Sequence, residues 1–275
     1  MMSGALAGRV AIVTGASRGI GAAIAQTFAA EGAAVAVVAR TVEPSQHQLP
    51  GTITHTVEKI SAAGGRAIAV RADLSSPEQR ERLVEETERQ LGVVGILVNN
   101  AAITYFEPAS AFAVRHYDLM FEVQVKAALH LAQLVLPGMR ERRQGWILNI
   151  SSKAALHPPL PPSGRAASGA GTVYGMCKAA LERLSTGLAA EVYGDGVAVN
   201  ALSPTRVVPT PGTVFHGLTT EGDPDAEPPS VMADAALALC GGNTAFLTGR
   251  IAFSQELLQE LASAAPIGAA SPHGG

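Results

Sequence analysis

RVAIVTGASRGIG, residues 9–21, is the stretch from which the rest of the chain is read. Val10, Ala11, Ile12 and Val13 run into Thr14-Gly15, and glycines at 15, 19 and 21 lead into Ala22-Ala23-Ile24-Ala25, a run of good helix formers. The order is strand, tight turn, helix amino terminus. Such a junction aims unpaired backbone N–H groups and the positive end of a helix dipole at one spot, which suits a phosphate or pyrophosphate. Glycine lets the backbone turn sharply and lets a bulky anion approach. The spacing here is G-x-x-x-G-x-G rather than G-x-G-x-x-G. A glycine-rich turn that holds no ligand is the alternative at this point.

The 275 residues are 47% apolar, enough for a substantial core, and strand and helix patterns alternate along the chain. That alternation predicts one α/β domain over residues 1–263. A net charge of −3 provides no basic footprint for nucleic acid. Cys177 and Cys240 form no spaced cluster, so neither a disulfide framework nor a metal site is expected. The amino terminus carries no basic segment followed by a long apolar one, and no apolar run approaches bilayer length, so a cytoplasmic protein without a membrane partner is expected. Residues 264–275, rich in Ala, Gly and Pro, read as a flexible tail. There is no internal repeat.

After the opening helix a second apolar strand, residues 33–39, stops at Arg40. In dinucleotide-binding sheets the end of this strand lies beside the adenine ribose, where an acidic residue binds the 2′-hydroxyl and a basic one accommodates a 2′-phosphate. The slot reads Ala39-Arg40-Thr41, with no carboxylate, and a second cation, Arg18, precedes Gly19. Guanidinium pairs with phosphate through charge-assisted hydrogen bonds, which favours NADP(H) over NAD(H). Two ordinary solvated arginines are the alternative.

Residues 41–55, TVEPSQHQLPGTITH, carry breakers and read as a lengthened loop before a helix over 53–63. A strand over 66–71 then leads to Asp73, which either accepts from the adenine amino group or caps the charged helix over 77–91. GILVN, residues 95–99, is a buried strand running into Asn100-Ala101-Ala102, small residues against which a ring can pack. Helical spacing covers 110–142, with Pro137 expected to bend or end it, and GWILNI, residues 145–150, is a strand reaching Ser151-Ser152. A helix beginning near Tyr174, a strand over 197–202, a breaker-rich segment over 203–230, a helix over 231–240, a strand over 249–253 and a helix over 255–263 complete the chain. The long segment emerges on the carboxyl side of the sheet, where it reads as a lid over substrate or as a disordered excursion.

Tyr174 and Lys178 stand four residues apart, one above the other on a helix face. A free phenol titrates near about 10, and a neighbouring ammonium favours its phenolate, so Tyr174 can give a proton to a carbonyl oxygen or take one from an alcohol. Ser152, at the end of the preceding strand, can hydrogen-bond the same oxygen. No G-x-S-x-G elbow surrounds Ser151 or Ser152, which argues against a serine nucleophile.

Taken together, Thr14-Gly15-Ala16-Ser17-Arg18-Gly19-Ile20-Gly21, Asp73-Leu74, Asn99-Asn100-Ala101-Ala102, Ser152, Tyr174-Gly175-Met176-Cys177-Lys178 and Asn200-Ala201-Leu202-Ser203-Pro204 make the chain resemble the short-chain dehydrogenase/reductase family, single-domain branch. LPGTI at residues 49–53, NALSPTRVVPT and the ADAA near residue 233 are similar to its hydroxysteroid-dehydrogenase-like group, whose substrates are poorly defined. The resemblance implies a Rossmann-type, doubly wound, seven-stranded parallel sheet with helices on both faces, and nicotinamide-dependent hydride transfer. It implies Tyr174 as acid/base, Lys178 on the nicotinamide ribose and Ser152 on the carbonyl. NADP(H) would be held by Gly15, Ser17, Arg18, Gly19, Ile20, Gly21, Arg40, Thr41, Asp73, Leu74, Asn100, Ala101, Ala102, Tyr174, Lys178, Pro204, Thr205 and Val207. It also implies a dimer or tetramer packed through the fourth and fifth helices, with which the apolar stretch over residues 120–136 is consistent; burial within one subunit is the alternative.

The chain departs from the family pattern in places. Gln124 stands where the family's long fourth helix has an Asn that completes a proton relay to the Lys, the segment from Ser152 to Tyr174 is longer than usual, Thr205 replaces a Gly, and Phe253-Ser254-Gln255 replaces Asp-Gly-Gly. A catalytically weakened NADP-binding sensor or interaction protein is therefore one alternative. A carrier-linked ketoreductase is another, opposed by the acidic lid residues Glu221, Asp223, Asp225 and Glu227. Val207, Val208, Val214, Phe215 and Leu218 point to an apolar or bulky small-molecule substrate, and His157 and His216 read as loop residues.

Overall fold

Strands buried on both faces must be largely apolar, and this is why residues 10–14, 34–39, 96–99, 145–150 and 197–203 read as apolar runs, interrupted inside by Asn149 and Asn200, whose amides are hydrogen-bonded. In a computed structural model that describes residues 4–161 and 170–264 the strands pair as one sheet of seven parallel strands. In chain order the elements are β1 (Val10–Thr14), α1 (Gly19–Ala30), β2 (Ala34–Ala39), α2 (Ile53–Ala62), β3 (Arg66–Arg71), α3 (Pro77–Leu91) and β4 (Ile96–Asn99). They continue with α4 (Val114–Phe121), α5 (Ala127–Glu141), β5 (Gly145–Ile150), α6 (Thr172–Glu191), β6 (Val197–Ser203), α7 (Pro211–Phe215), α8 (Pro229–Gly241), β7 (Ile251–Phe253) and α9 (Ser254–Ala264). The strand order is β3-β2-β1-β4-β5-β6-β7. The chain therefore winds outward one way from β1 and the other way from β4. Their carboxyl ends open a crevice, the place where such sheets bind ligands.

Helices cover both faces. Ile24 and Phe28 of α1, Met232 and Leu239 of α8 and Leu257 of α9 bury one side, while Leu83 of α3, Leu131, Val135 and Met139 of α5 and Leu188 of α6 bury the other. The Rossmann-type, doubly wound architecture is the one the sequence implied. Local signals set several boundaries: Ser76 caps α3 by accepting from Gln79 N at 3.3 Å, and Gly92 at φ +107 ends it.

Four expectations need correction. Pro137 does not end its helix, which runs on to Glu141. The 110–142 segment is not one uniform α-helix, because Glu122–Lys126 forms a π-helical stretch between α4 and α5. Val114–Glu141 is also one continuous helical run of 28 residues, long and apolar enough by composition to cross a bilayer, contrary to the sequence reading. Half of that run is nevertheless buried in this chain: Val123, Leu131, Val135 and Leu136 pack in the core beneath the sheet, and Met120 packs with Val173 and Cys177 of α6. The 203–230 segment contains the short α7, which no periodicity announced. Of the expected tail only Ala264 is described, as the end of α9, and residues 162–169 of the lengthened segment before Tyr174 lie outside the described residues.

Candidate active site

The glycine turn closes the crevice between β1 and β4. A Cβ at Gly15, whose φ is +65, would lie 2.8 Å from Ala101 Cα, and one at Gly21 would lie 2.4 Å from Asn100 Nδ2. Asn100 Nδ2 donates to Thr14 O at 2.9 Å and Gly15 O at 3.2 Å, while Thr14 Oγ1 accepts from the backbone N–H of Asn100 and Ala101 at 3.0 and 3.1 Å. The two strand ends are thus laced together. No side chain caps the amino end of α1, and no acidic residue sits in its first turn. That leaves an anion cradle in which Gly19 holds φ +56, and a pyrophosphate fits it.

Beyond β2, Arg18 and Arg40 flank the next part of the crevice. Arg40 is half exposed, with Asp73 at 4.0 Å. Arg18 Nη2 donates to Gly51 O at 2.9 Å and Thr41 Oγ1 at 3.4 Å, and its Nε is buried with no partner among the described residues. Asp73 does not cap α3. Its Oδ1 accepts from Ser75 N at 3.0 Å and Ser75 Oγ at 2.8 Å. Partial burial pushes its carboxyl up, but the two Ser75 bonds and the Arg40 charge outweigh this and hold it below the usual range. Leu74 is buried beside it, Ser17 and Thr41 are buried, and Ile20 packs on the core below the turn.

The chemical end lies where β5 and α6 meet. Gly175 permits their close approach, since a Cβ there would lie 2.4 Å from Ala154 O. Ser152 begins the turn after β5, accepting from Ala154 N at 3.2 Å, and its side chain interacts with that of Tyr174. Lys178, one turn further along α6, donates to Ile150 O at 2.9 Å, with its Nζ 5.5 Å from the centre of the Tyr174 ring. Burial lowers the Lys178 pKa to about 8 against the raising effects of Cys177 and Glu182. Burial also raises the Tyr174 pKa, and Ser152 opposes it. The lowered phenol expected from the sequence is therefore not the property of this pair by itself: desolvation wins. Gln124 sits inside the π-helical stretch, its Nε2 donating to Ile103 O at 2.9 Å and its buried Oε1 without a partner among the described residues.

The substituted residues at the carboxyl end form one network. Thr205 N donates to Ser254 Oγ at 3.0 Å, Gln255 N donates to Thr205 Oγ1 at 3.0 Å, and Thr205 Oγ1 donates to Glu256. The buried Glu227 accepts from Ser254 Oγ at 2.7 Å and Gln255 Nε2 at 2.9 Å, and its own N–H donates to Val207 O at 3.0 Å. Thr205 is thereby committed to α9, Val207 ties the two ends of the 203–230 segment together beside Pro204, and the buried Glu227 does not belong to an acidic surface.

Three residues near the site went unnoticed in the sequence. Thr210 caps α7, accepting from Thr213 N at 3.2 Å, and its Cγ2 would lie 2.8 Å from a Cβ at Gly19. Its signal was the T-P-G-T order, a cap before a helix-starting proline. Phe106 stands edge-on to the Tyr174 ring at 6.0 Å and to the His216 ring of the lid at 5.1 Å. His47 contacts Arg18. Neither ring carried a sequence signal, because both act through long-range contacts.

A family model described as short chain dehydrogenase matches residues 9–215. Hydroxysteroid dehydrogenase-like protein 2 of Xenopus laevis is 34% identical over 258 residues, which cover 94% of this chain and 59% of that protein's length. The crystal structure of a short chain dehydrogenase from Mycobacterium thermoresistibile superposes with a TM-score of 0.80 at 32% identity, covering 93% of this chain and 88% of the other. A metagenomic short-chain oxidoreductase in complex with NADP gives 0.72 at 29% identity, covering 90% and 98%.

Proposed function

We propose, on the premise that this chain belongs to the short-chain dehydrogenase/reductase family, that it is an NADP(H)-dependent oxidoreductase interconverting a bulky, apolar ketone and its secondary alcohol. The observation that carries the reading is the convergence of the Ser152 and Tyr174 side chains one helical turn from the buried Lys178. When bound, the nicotinamide supplies or accepts the hydride. Ser152 and Tyr174 converge on one point, where a substrate oxygen would accept from both. Because burial holds Tyr174 above the ordinary phenol range, it keeps its proton at neutral pH and serves as the donor to an oxygen that is gaining charge. The Lys178 ammonium then favours the phenolate left behind.

Preference for NADP(H) is supported by Arg18 and Arg40, by the lack of a carboxylate in residues 39–41, and by the NADP carried by a structural neighbour. Phe106, Phe215, His216 and Val207 support an apolar substrate held under the lid. A panel of ketones assayed with NADPH and NADH tests the reading. Tyr174→Phe, which removes only the proton donor, is expected to lower kcat by about 10²–10⁴-fold. Unchanged turnover in that variant would remove Tyr174 from its role.

A further inference from the structure

We infer that His47 is a specificity-determining residue for a phosphomonoester on the adenosine side: its Nδ1 holds the Arg18 guanidinium where a 2′-phosphate would bind. The inference rests on the NADP(H) reading above and deepens it.

His47 belongs to the segment between β2 and α2, which folds back over the glycine turn. Gly51, at φ +105, makes that approach possible, since a Cβ there would lie 2.5 Å from Ser17 O. Arg18 Nη1 is 3.1 Å from His47 Nδ1, and Leu49 N donates to the same nitrogen at 3.0 Å. A guanidinium has donors only and a backbone N–H is a donor, so Nδ1 is the acceptor of both and the ring proton sits on Nε2. The imidazole is therefore neutral in this arrangement. Burial, together with the charges of Arg18 and Arg40, lowers the His47 pKa and keeps it so.

That neutrality is what makes histidine suited to the position. A carboxylate would orient Arg18 equally well, but it would cancel the guanidinium charge and repel an arriving phosphate. A neutral acceptor fixes the fork while leaving its full charge for the ligand. With Gly51 O and Thr41 Oγ1 accepting from Nη2 and His47 Nδ1 accepting from Nη1, Arg18 is preorganised and loses little side-chain freedom on binding, with its second Nη1 hydrogen left for the ligand. Arg40, half exposed across the crevice, is free to supply the second cation by leaving its 4.0 Å contact with Asp73.

Calorimetric titration of the full chain with 2′,5′-ADP and with 5′-ADP tests this without any turnover. The wild type is expected to prefer 2′,5′-ADP. His47→Ala is expected to weaken 2′,5′-ADP by about tenfold while leaving 5′-ADP within about twofold. His47→Asn, whose side-chain oxygen restores a neutral acceptor, is expected to recover part of the loss. His47→Asp, which restores an acceptor but adds a charge, is expected to bind 2′,5′-ADP more weakly than His47→Ala. Equal losses for both nucleotides, or a His47→Asp variant that binds like the wild type, overturn the role of His47 while leaving the NADP(H) reading intact. A wild type without preference between the two nucleotides overturns both. Should His47→Ala not fold, the contrast between the asparagine and aspartate variants decides alone.

Discussion

Replacing Lys178 by methionine is expected to abolish turnover and to change the pH dependence of stability in a defined way. The ammonium is buried, and burial lowers its pKa from 10.5 to about 8. At neutral pH both folded and unfolded chains carry the proton, so the fold bears the full cost of desolvating it, on the order of 3 kcal/mol. Methionine has similar bulk and no charge, so it removes that cost. It also removes the donor to Ile150 O, which costs about 1–3 kcal/mol. The two effects nearly cancel at pH 7, leaving the variant close to the wild type in stability. As pH rises through about 8 towards 10.5, the folded wild type releases the proton before the unfolded chain does, and its stability rises relative to the variant. Urea unfolding at pH 7, 8.5 and 10 is expected to show the wild type gaining about 2–3 kcal/mol on Lys178→Met over this range. Titrating groups that do not interact with Lys178 are common to both proteins and drop out of the difference; Cys177, whose thiol the ammonium pulls down, and Glu182 are coupled to it and contribute alongside. A difference that stays constant from pH 7 to 10 would refute the argument that Lys178 is held charged at a cost.

Two further outcomes follow from packing and hydrogen bonding. Gly21→Ala would place a Cβ 2.4 Å from Asn100 Nδ2 and 2.5 Å from Gly15 O, forcing the lace between the two strand ends apart. The expected result is NADPH affinity at least about tenfold weaker, read from the quenching or shift of nucleotide fluorescence; unchanged affinity would place the nucleotide elsewhere. Ser254→Ala leaves both the Glu227 carboxylate and Thr205 N short of a partner, and is expected to cost about 1–3 kcal/mol in thermal unfolding and to accelerate tryptic cleavage at the exposed Arg206. A variant as stable and as protease-resistant as the wild type would show that the network does not hold the lid.

Most of the sheet was legible because β1, β2, β4, β5 and β6 are buried on both faces and so appear as apolar runs that no helix period imitates, while the more exposed β3 shows alternation instead. The bounds of α3 were legible because Pro77 and Gly92 mark its ends locally. Tyr174, Lys178, Ser152 and the glycine turn were legible because each depends on close spacing along the chain. What escaped the sequence depends on partners far apart in it. Thr205 and Ser254 looked like separate losses from a family pattern, yet they bond to each other across 49 residues. The π-helical stretch around Gln124 leaves no periodic trace, since one added residue per turn over five residues is shorter than any window that could detect it. His47 looked like part of a featureless loop because its role comes from Arg18, 29 positions away.

Thr210 stands directly on Gly19, so the segment proposed as substrate cover and the turn proposed to seat the dinucleotide share a wall. On that reading, occupancy of one is expected to bias the posture of the other. Compulsory-order kinetics, with the dinucleotide first on and last off, are the expected signature, and trimming Thr210 to alanine is the change that would loosen that sequence of events.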